Sequence, residues 1–316
     1  MTEIVYHLSI LGAVLIAGIC FVHAWGDRER LAFLGTSMLY GFLLEKAVIF
    51  VFGMHSYPTE QFLFNLWSVP VSIPLVWGVI MYSSLIAGMH IGLQRRHLPI
   101  FAGLFVLHID LAIDAIAIRV PLWTWHVPGV WFDVPIVNFV GWYSVALLFT
   151  GCFLYIGEKT DRYVLAGVVS LVSSIALLLV IVACWLRFVS SSTVMEVALF
   201  GTIIGTSLVY LLRADVQPDL YLDRFPAETF VSVVLIHLFY LQMSLYYGYY
   251  RDQTVLIYIC IFMILVAVSV HYLPYMTEEV SELTETGSEP LSSETEMGER
   301  GGSGSSLRTH HETENR

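Results

Sequence analysis

The stretch Ile175-Ala-Leu-Leu-Leu-Val-Ile-Val-Ala183 decides the fold. Its residues are apolar without alternation. A strand of a membrane barrel alternates apolar and polar residues over about ten positions, so this is not one. It lies inside a longer apolar run, 163–186, and a helix needs about 20 such residues to cross the hydrocarbon core of a bilayer. Working outward, eight more runs of this kind appear, at 5–25, 31–53, 69–93, 99–120, 137–156, 193–212, 229–249 and 254–274. The sequence therefore predicts an all-α polytopic membrane bundle of about nine transmembrane helices. The whole composition agrees: 57% of residues are hydrophobic, 13% are charged, and the mean hydropathy is +0.74. A soluble domain carries roughly 25% charged residues. The first run has no basic leader, so it reads as a retained helix and not a cleaved signal. Cys20, Cys152, Cys184 and Cys260 all fall in apolar runs without metal-type spacing, and read as small hydrophobes.

The net charge of -11 is unevenly placed. From Thr277 to Arg316 the chain holds ten Glu and three Arg among Ser, Thr and Gly, a composition that predicts a disordered acidic tail. Residues 1–276 form the expected transmembrane catalytic domain and 277–316 the tail. No basic footprint exists, which excludes a nucleic-acid partner. Arg28, Arg30, Arg95, Arg96, Lys159, Arg162, Arg213 and Arg224 lie in odd-numbered loops, against Arg119, Arg187 and Arg251 in even ones. That asymmetry places the odd loops in the cytoplasm and the N-terminus outside, in a multi-pass protein of the cell membrane.

Ionisable groups inside spans are costly, so each is a functional candidate. Helix two carries Glu45 and Lys46, and helix four carries His108, Asp110 and Asp114. Glu196 begins helix seven, and helix eight has His237. Asp110 and Asp114 are four apart and share one helix face. Two carboxyls that close in low dielectric do not both ionise easily, which is the condition for a general acid at neutral pH. His237, standing alone, reads as a hydrogen-bonded core histidine. Lys46 points about 100° away from Glu45 on the helix and need not pair with it. Glu45 and Asp114 fall in the outer half of their spans, and Asp110 falls near the middle. The outer loop that follows is Pro121-Leu-Trp-Thr-Trp-His-Val-Pro-Gly-Val-Trp-Phe-Asp-Val-Pro135. Trp123, Trp125 and Trp131 suit either an interfacial belt or a lid whose ring faces stabilise a cation. The loop 54–68, with His55, Tyr57, Glu60, Asn65 and Trp67, lies on the same side.

Several motifs together carry a family resemblance: Leu107-His-Ile-Asp-Leu-Ala-Ile-Asp114, Trp123-Thr-Trp125, Trp131-Phe-Asp-Val-Pro135, Asn138-Phe-Val-Gly-Trp142, Gly41-x-x-x-Glu45 and Trp67-Ser-Val-Pro-Val-Ser-Ile-Pro-Leu-Val-Trp77. Over roughly residues 40–145 the chain resembles the membrane carotenoid hydratases, carotenoid biosynthesis proteins that hydrate gamma-carotene or bisanhydrobacterioruberin. One departure is that the family has Asp-Pro at the second aspartate, where this chain has Asp114-Ala115. The resemblance implies water addition across a terminal isoprenoid double bond of a long polyene, without metal or redox cofactor. Protonation gives a tertiary cation and water captures it. On that reading Asp110 or Asp114 donates the proton and Glu45 orients the water. Trp77, Trp123, Trp125, Trp131, Asn138 and Trp142 line the substrate site. The partners implied are a lipid-soluble carotenoid, the membrane, and other membrane enzymes of the pathway. The residues alone leave three alternatives: a carotenoid cyclase, which shares the cation chemistry, a non-enzymatic transporter, and a retinal-binding photoreceptor. The last is disfavoured because the only lysines are Lys46 and Lys159.

Overall fold

The computed structural model describes residues 3–217 and 225–286. Among them are nine helices long and apolar enough to cross a membrane. These are α1 (Glu3–Ala24), α2 (Arg28–Phe52), α3 (Ser72–His90), α4 (Leu98–Ala117), α5 (Ile136–Thr160), α6 (Tyr163–Phe188), α7 (Thr193–Leu212), α8 (Ala227–Tyr247) and α9 (Val255–Thr286). The all-α multi-pass bundle expected from the apolar runs is the fold observed. One compact unit ends at Thr277 and a second begins at Glu278. Of the segment expected to be disordered, 277–286 is helical to the end of α9. Its Glu and Leu residues are good helix formers, and α9 runs on through them. Residues 287–316 of that segment lie outside the described residues.

Local chemistry sets the helix ends. Asp27 caps α2 by accepting the Arg30 amide at 3.0 Å, and Gly53 closes it in the left-handed region at φ 56°. Helix four was expected to reach 120 but stops at Ala117, short of Pro121. Helix three was expected from 69 but starts at Ser72, because Val69–Pro70 (β3) instead pairs with Asn65–Leu66 (β2). Trp67 and Ser68 turn that hairpin with both φ positive, at 47° and 67°.

α4 is the most enclosed span and α7 the least. α4 packs against α3, α5 and α8, and α2 packs against α3 and α6. Lipid tails are as apolar as the side chains, so close helix approach relies on small residues. Gly41 shows this clearly. A Cβ at that position would stand 2.4 Å from Cβ of Trp77, so only glycine lets α2 and α3 meet there. The loops 54–68 and 121–135 join at one end of the bundle. His55–Ser56 (β1) pairs antiparallel with Thr124–Trp125 (β4), setting His55 opposite Trp125. The His126 amide donates to Met54 O at 2.7 Å, and the His126 ring bonds Ser56 Oγ and Gly53 O, each at 3.0 Å.

Candidate active site

Trp77 of α3 and the loop 54–68 converge on Glu45 of α2. Its Oε1 accepts the Trp77 indole N–H at 2.9 Å, and its Oε2 accepts the Tyr57 hydroxyl and His55 Nε2, each at 2.9 Å. Three donors and no acceptor face the carboxylate, the environment of an ionised group. Gly41 lies one turn before Glu45 on the same face of α2. The space that it leaves seats Trp77 at hydrogen-bond distance from Glu45. Burial and the adjacent Glu45 carboxylate hold the Tyr57 phenol well above its ordinary value, so it remains a donor. With Nε2 donating to Glu45, His55 keeps Nδ1 as an acceptor. That nitrogen is buried without a partner among the described residues.

Asp110 and Asp114 stand on α4 and are both fully enclosed, at 0% and 1% exposure. One amide holds them together: Asn138 Nδ2 donates to Asp110 Oδ2 at 2.9 Å and to Asp114 Oδ2 at 2.6 Å. Two carboxyl oxygens that share one donor repel unless a proton sits between the two groups. Asn138, assigned to substrate from the sequence, is therefore the clasp of the aspartate pair, and it lines the cavity as well.

That cavity is about 80 Å³. Its wall holds Glu45, His55, Tyr57, Asp114, Asn138 and the indoles of Trp77, Trp123, Trp125 and Trp142. Trp77 and Trp142 stack at 4.1 Å. A second, apolar cavity of about 420 Å³ adjoins it and shares Glu45, Tyr57, Trp77, Trp123 and Trp142. Drug-sized ligand pockets run to roughly 300–1,000 Å³. The structure thus brings together seven of the nine residues singled out from the sequence. Asp110 is held one hydrogen bond behind the wall, through Asn138.

Trp131 is outside both cavities. Its indole donates to Leu111 O at 3.0 Å, so it braces α4 instead of facing the chamber. Leu111 is four residues before Ala115, the position where the resembling family carries proline. A proline there would remove the helical donor to this carbonyl. The helix here continues through Asp114-Ala115 without a break, and the Ile118 amide bonds Asp114 O at 3.1 Å. Arg119 fixes the same loop by donating to Phe132 O and Asp133 Oδ2, each at 3.0 Å.

Other polar groups in the spans stand apart. Glu196 accepts from Trp185 Nε1 and Ser190 Oγ, joining α6 to α7. Lys46 donates to Trp67 O at 2.7 Å and tethers the hairpin. His237 departs from the expectation of a hydrogen-bonded core histidine. It is buried, its ring centroid is 5.4 Å from that of His108, and neither ring nitrogen has a partner among the described residues. The ring is enclosed beside His108, whose Nε2 is also without a partner among the described residues, a property of packing that the sequence does not display.

The sequence model of carotenoid biosynthesis proteins matches residues 4–208. The chain belongs to the carotenoid biosynthesis protein family. No curated protein and no solved structure matches it. A family role in carotenoid biosynthesis, a lipid substrate and a membrane-embedded fold agree with a site placed inside the bundle. The match extends past the motif-bearing region into α6 and α7. Leu178 and Val182 of α6 line the smaller cavity, which gives that extension a structural meaning. His55 and Tyr57 were noted only as loop residues. Their signal was proximity in sequence to the end of α2, but the partner they share is ten and twelve residues away.

Proposed function

We propose that this carotenoid biosynthesis protein is a hydratase, which adds water across a terminal isoprenoid double bond of a long polyene in the cell membrane. One observation carries the reading. An enclosed aspartate and a hydrogen-bonded Glu45–His55 pair line a single indole-walled chamber that adjoins an apolar cavity. Asp114, which lines the chamber, is the proton donor; Asp110, which the Asn138 amide holds beside it, shares the proton of the pair.

The steps balance with these groups. The Asp114 O–H bond breaks and a C–H bond forms at the less substituted alkene carbon, leaving a tertiary cation. The faces of Trp77, Trp123, Trp125 and Trp142 offer negative charge density to that cation. Water forms the C–O bond and gives its proton to His55 Nδ1, with Glu45 stabilising the imidazolium through Nε2. Return of that proton to the aspartate pair resets the site. The net change is the addition of one water, giving a tertiary alcohol. The body of the substrate fits the apolar cavity, where a charged solute would find only the already paired Glu45.

Expression in a host that makes acyclic carotenes tests the reading. The pigment should gain the mass of one water per reacted end, and Asp114→Asn should abolish the gain. A pigment converted without change of mass would establish the cyclase instead. Full hydration by both Asp114→Asn and Asp110→Asn would sink the assignment of the acid.

A further inference from the structure

The larger cavity extends away from the acid site between α1, α3 and α8, and several of its lining residues are also outward-facing. Leu8 and Leu15 of α1 and Leu238 of α8 line it while being 40%, 56% and 44% exposed. A cavity walled by residues that also form the outer surface opens through that surface. On a membrane-spanning helix, that surface meets lipid. The floor of the opening is low at Gly12, where an added Cβ would meet no atom within 4 Å.

The lining is selective. Glu45 is its one charged residue, and that carboxylate is already held by three donors. Among the described residues of the lining, no cation stands ready for a phosphate headgroup. Phe62, Trp77, Trp123, Phe239 and Tyr240 present aromatic surface, which packs well against a flat conjugated chain. The length of the cavity is limited. It follows α1 from Leu8 to Ile16, about 12 Å at 1.5 Å per residue. A long polyene is comparable to the ~30 Å hydrocarbon core.

We infer that the gap between α1 and α8 is a lateral port through which one end group of a linear polyene passes from the bilayer to Glu45 and Asp114, while the rest of the chain stays in lipid. This rests on the polyene reading above and adds the route and the extent of binding. Each end of a symmetric polyene then reacts in a separate binding event.

The test fills the port. Gly12→Phe places a ring in the groove, with Gly12→Leu as a smaller second variant. Gly18→Phe is the control: position 18 is on the same helix, is equally open, and does not line the cavity. Each purified full-length protein is incubated with a linear C40 carotene in lipid nanodiscs. Retained pigment is read by visible absorbance, conversion by product mass, and folding by thermal melting. Gly12→Phe should melt like the wild type while retaining and converting less than a tenth as much carotene, with Gly18→Phe unchanged. Wild-type retention and conversion in both Gly12 variants, folded, would overturn the port and leave the hydratase reading standing. Carotene bound by wild type and lost in the Gly12 variants, with no product heavier by a water, would support the port and refute hydration.

Discussion

Gly41→Ala perturbs the acid site from behind. The new Cβ would lie 2.4 Å from Trp77 Cβ, an atom fixed to the backbone of α3 that cannot swing aside. Carbon atoms settle at about 3.5–4.0 Å, so α2 and α3 must part there by about 1.1–1.6 Å. The Trp77 indole bond to Glu45, now 2.9 Å, would open to about 4 Å or beyond and cease to be a hydrogen bond. Overpacking costs about 1–3 kcal/mol and a charged hydrogen bond about 1.5–3 kcal/mol, offset by ~1 kcal/mol of helix propensity gained from alanine. The bundle should survive with a melting temperature lowered by several degrees. Hydration should suffer more, because a ~1 Å misplacement of catalytic groups costs about 10²-fold. The assay pairs thermal melting of the purified protein with product mass from a linear carotene. Trp77→Phe should lower conversion similarly, and the double variant should be no worse than the poorer single one, since both remove one interaction. Gly18→Ala, at an open position, should leave both readouts at wild-type level. Conversion by Gly41→Ala within twofold of wild type would refute the claim that this glycine seats the Trp77–Glu45 bond.

Other consequences follow from the same geometry. Asp114→Asn should lower carotene hydration at least 10³-fold, and Asp110→Asn less, because only Asp114 lines the chamber; equal losses measured by product mass would contradict that ranking. His55→Phe should retain bound carotene yet lose hydration about 10²-fold, with partial recovery on adding imidazole to His55→Ala. Gly141→Leu should fill the smaller cavity, since its Cβ would meet nothing within 4 Å, and block conversion with little change in melting. A symmetric acyclic carotene should give a singly hydrated product before the doubly hydrated one in a time course. Doubly hydrated product without the intermediate would count against separate binding of the two ends.

The acid site held at that end of the bundle combines two devices. Polar groups buried in lipid-spanning helices are expensive, and here Glu45, Asp110 and Asp114 each find a donor from another element. The loops that close the chamber are themselves fixed by a short antiparallel pairing and by Arg119, which ties the Phe132 turn back to the end of α4. A cation formed inside would therefore meet rigid indoles with little bulk water.

The sequence by itself determined the nine apolar spans, since length and the lack of alternation depend only on local composition. It also marked Asp110 and Asp114 as neighbours, because residues four apart share a helix face whatever surrounds them. It flagged the Trp-rich loop and Gly41-x-x-x-Glu45 as motifs, but not what they do. Tertiary structure decided that Gly41 exists to admit Trp77 and that Asn138 clasps the aspartates. It also turned Trp131 to Leu111 O and left His237, which lies beside His108, without a hydrogen-bond partner for either ring nitrogen among the described residues. Those outcomes depend on which helix faces meet and at what distance. Helix faces pair through packing between residues far apart in the chain, so a one-dimensional pattern can list the groups of a site without showing which of them touch.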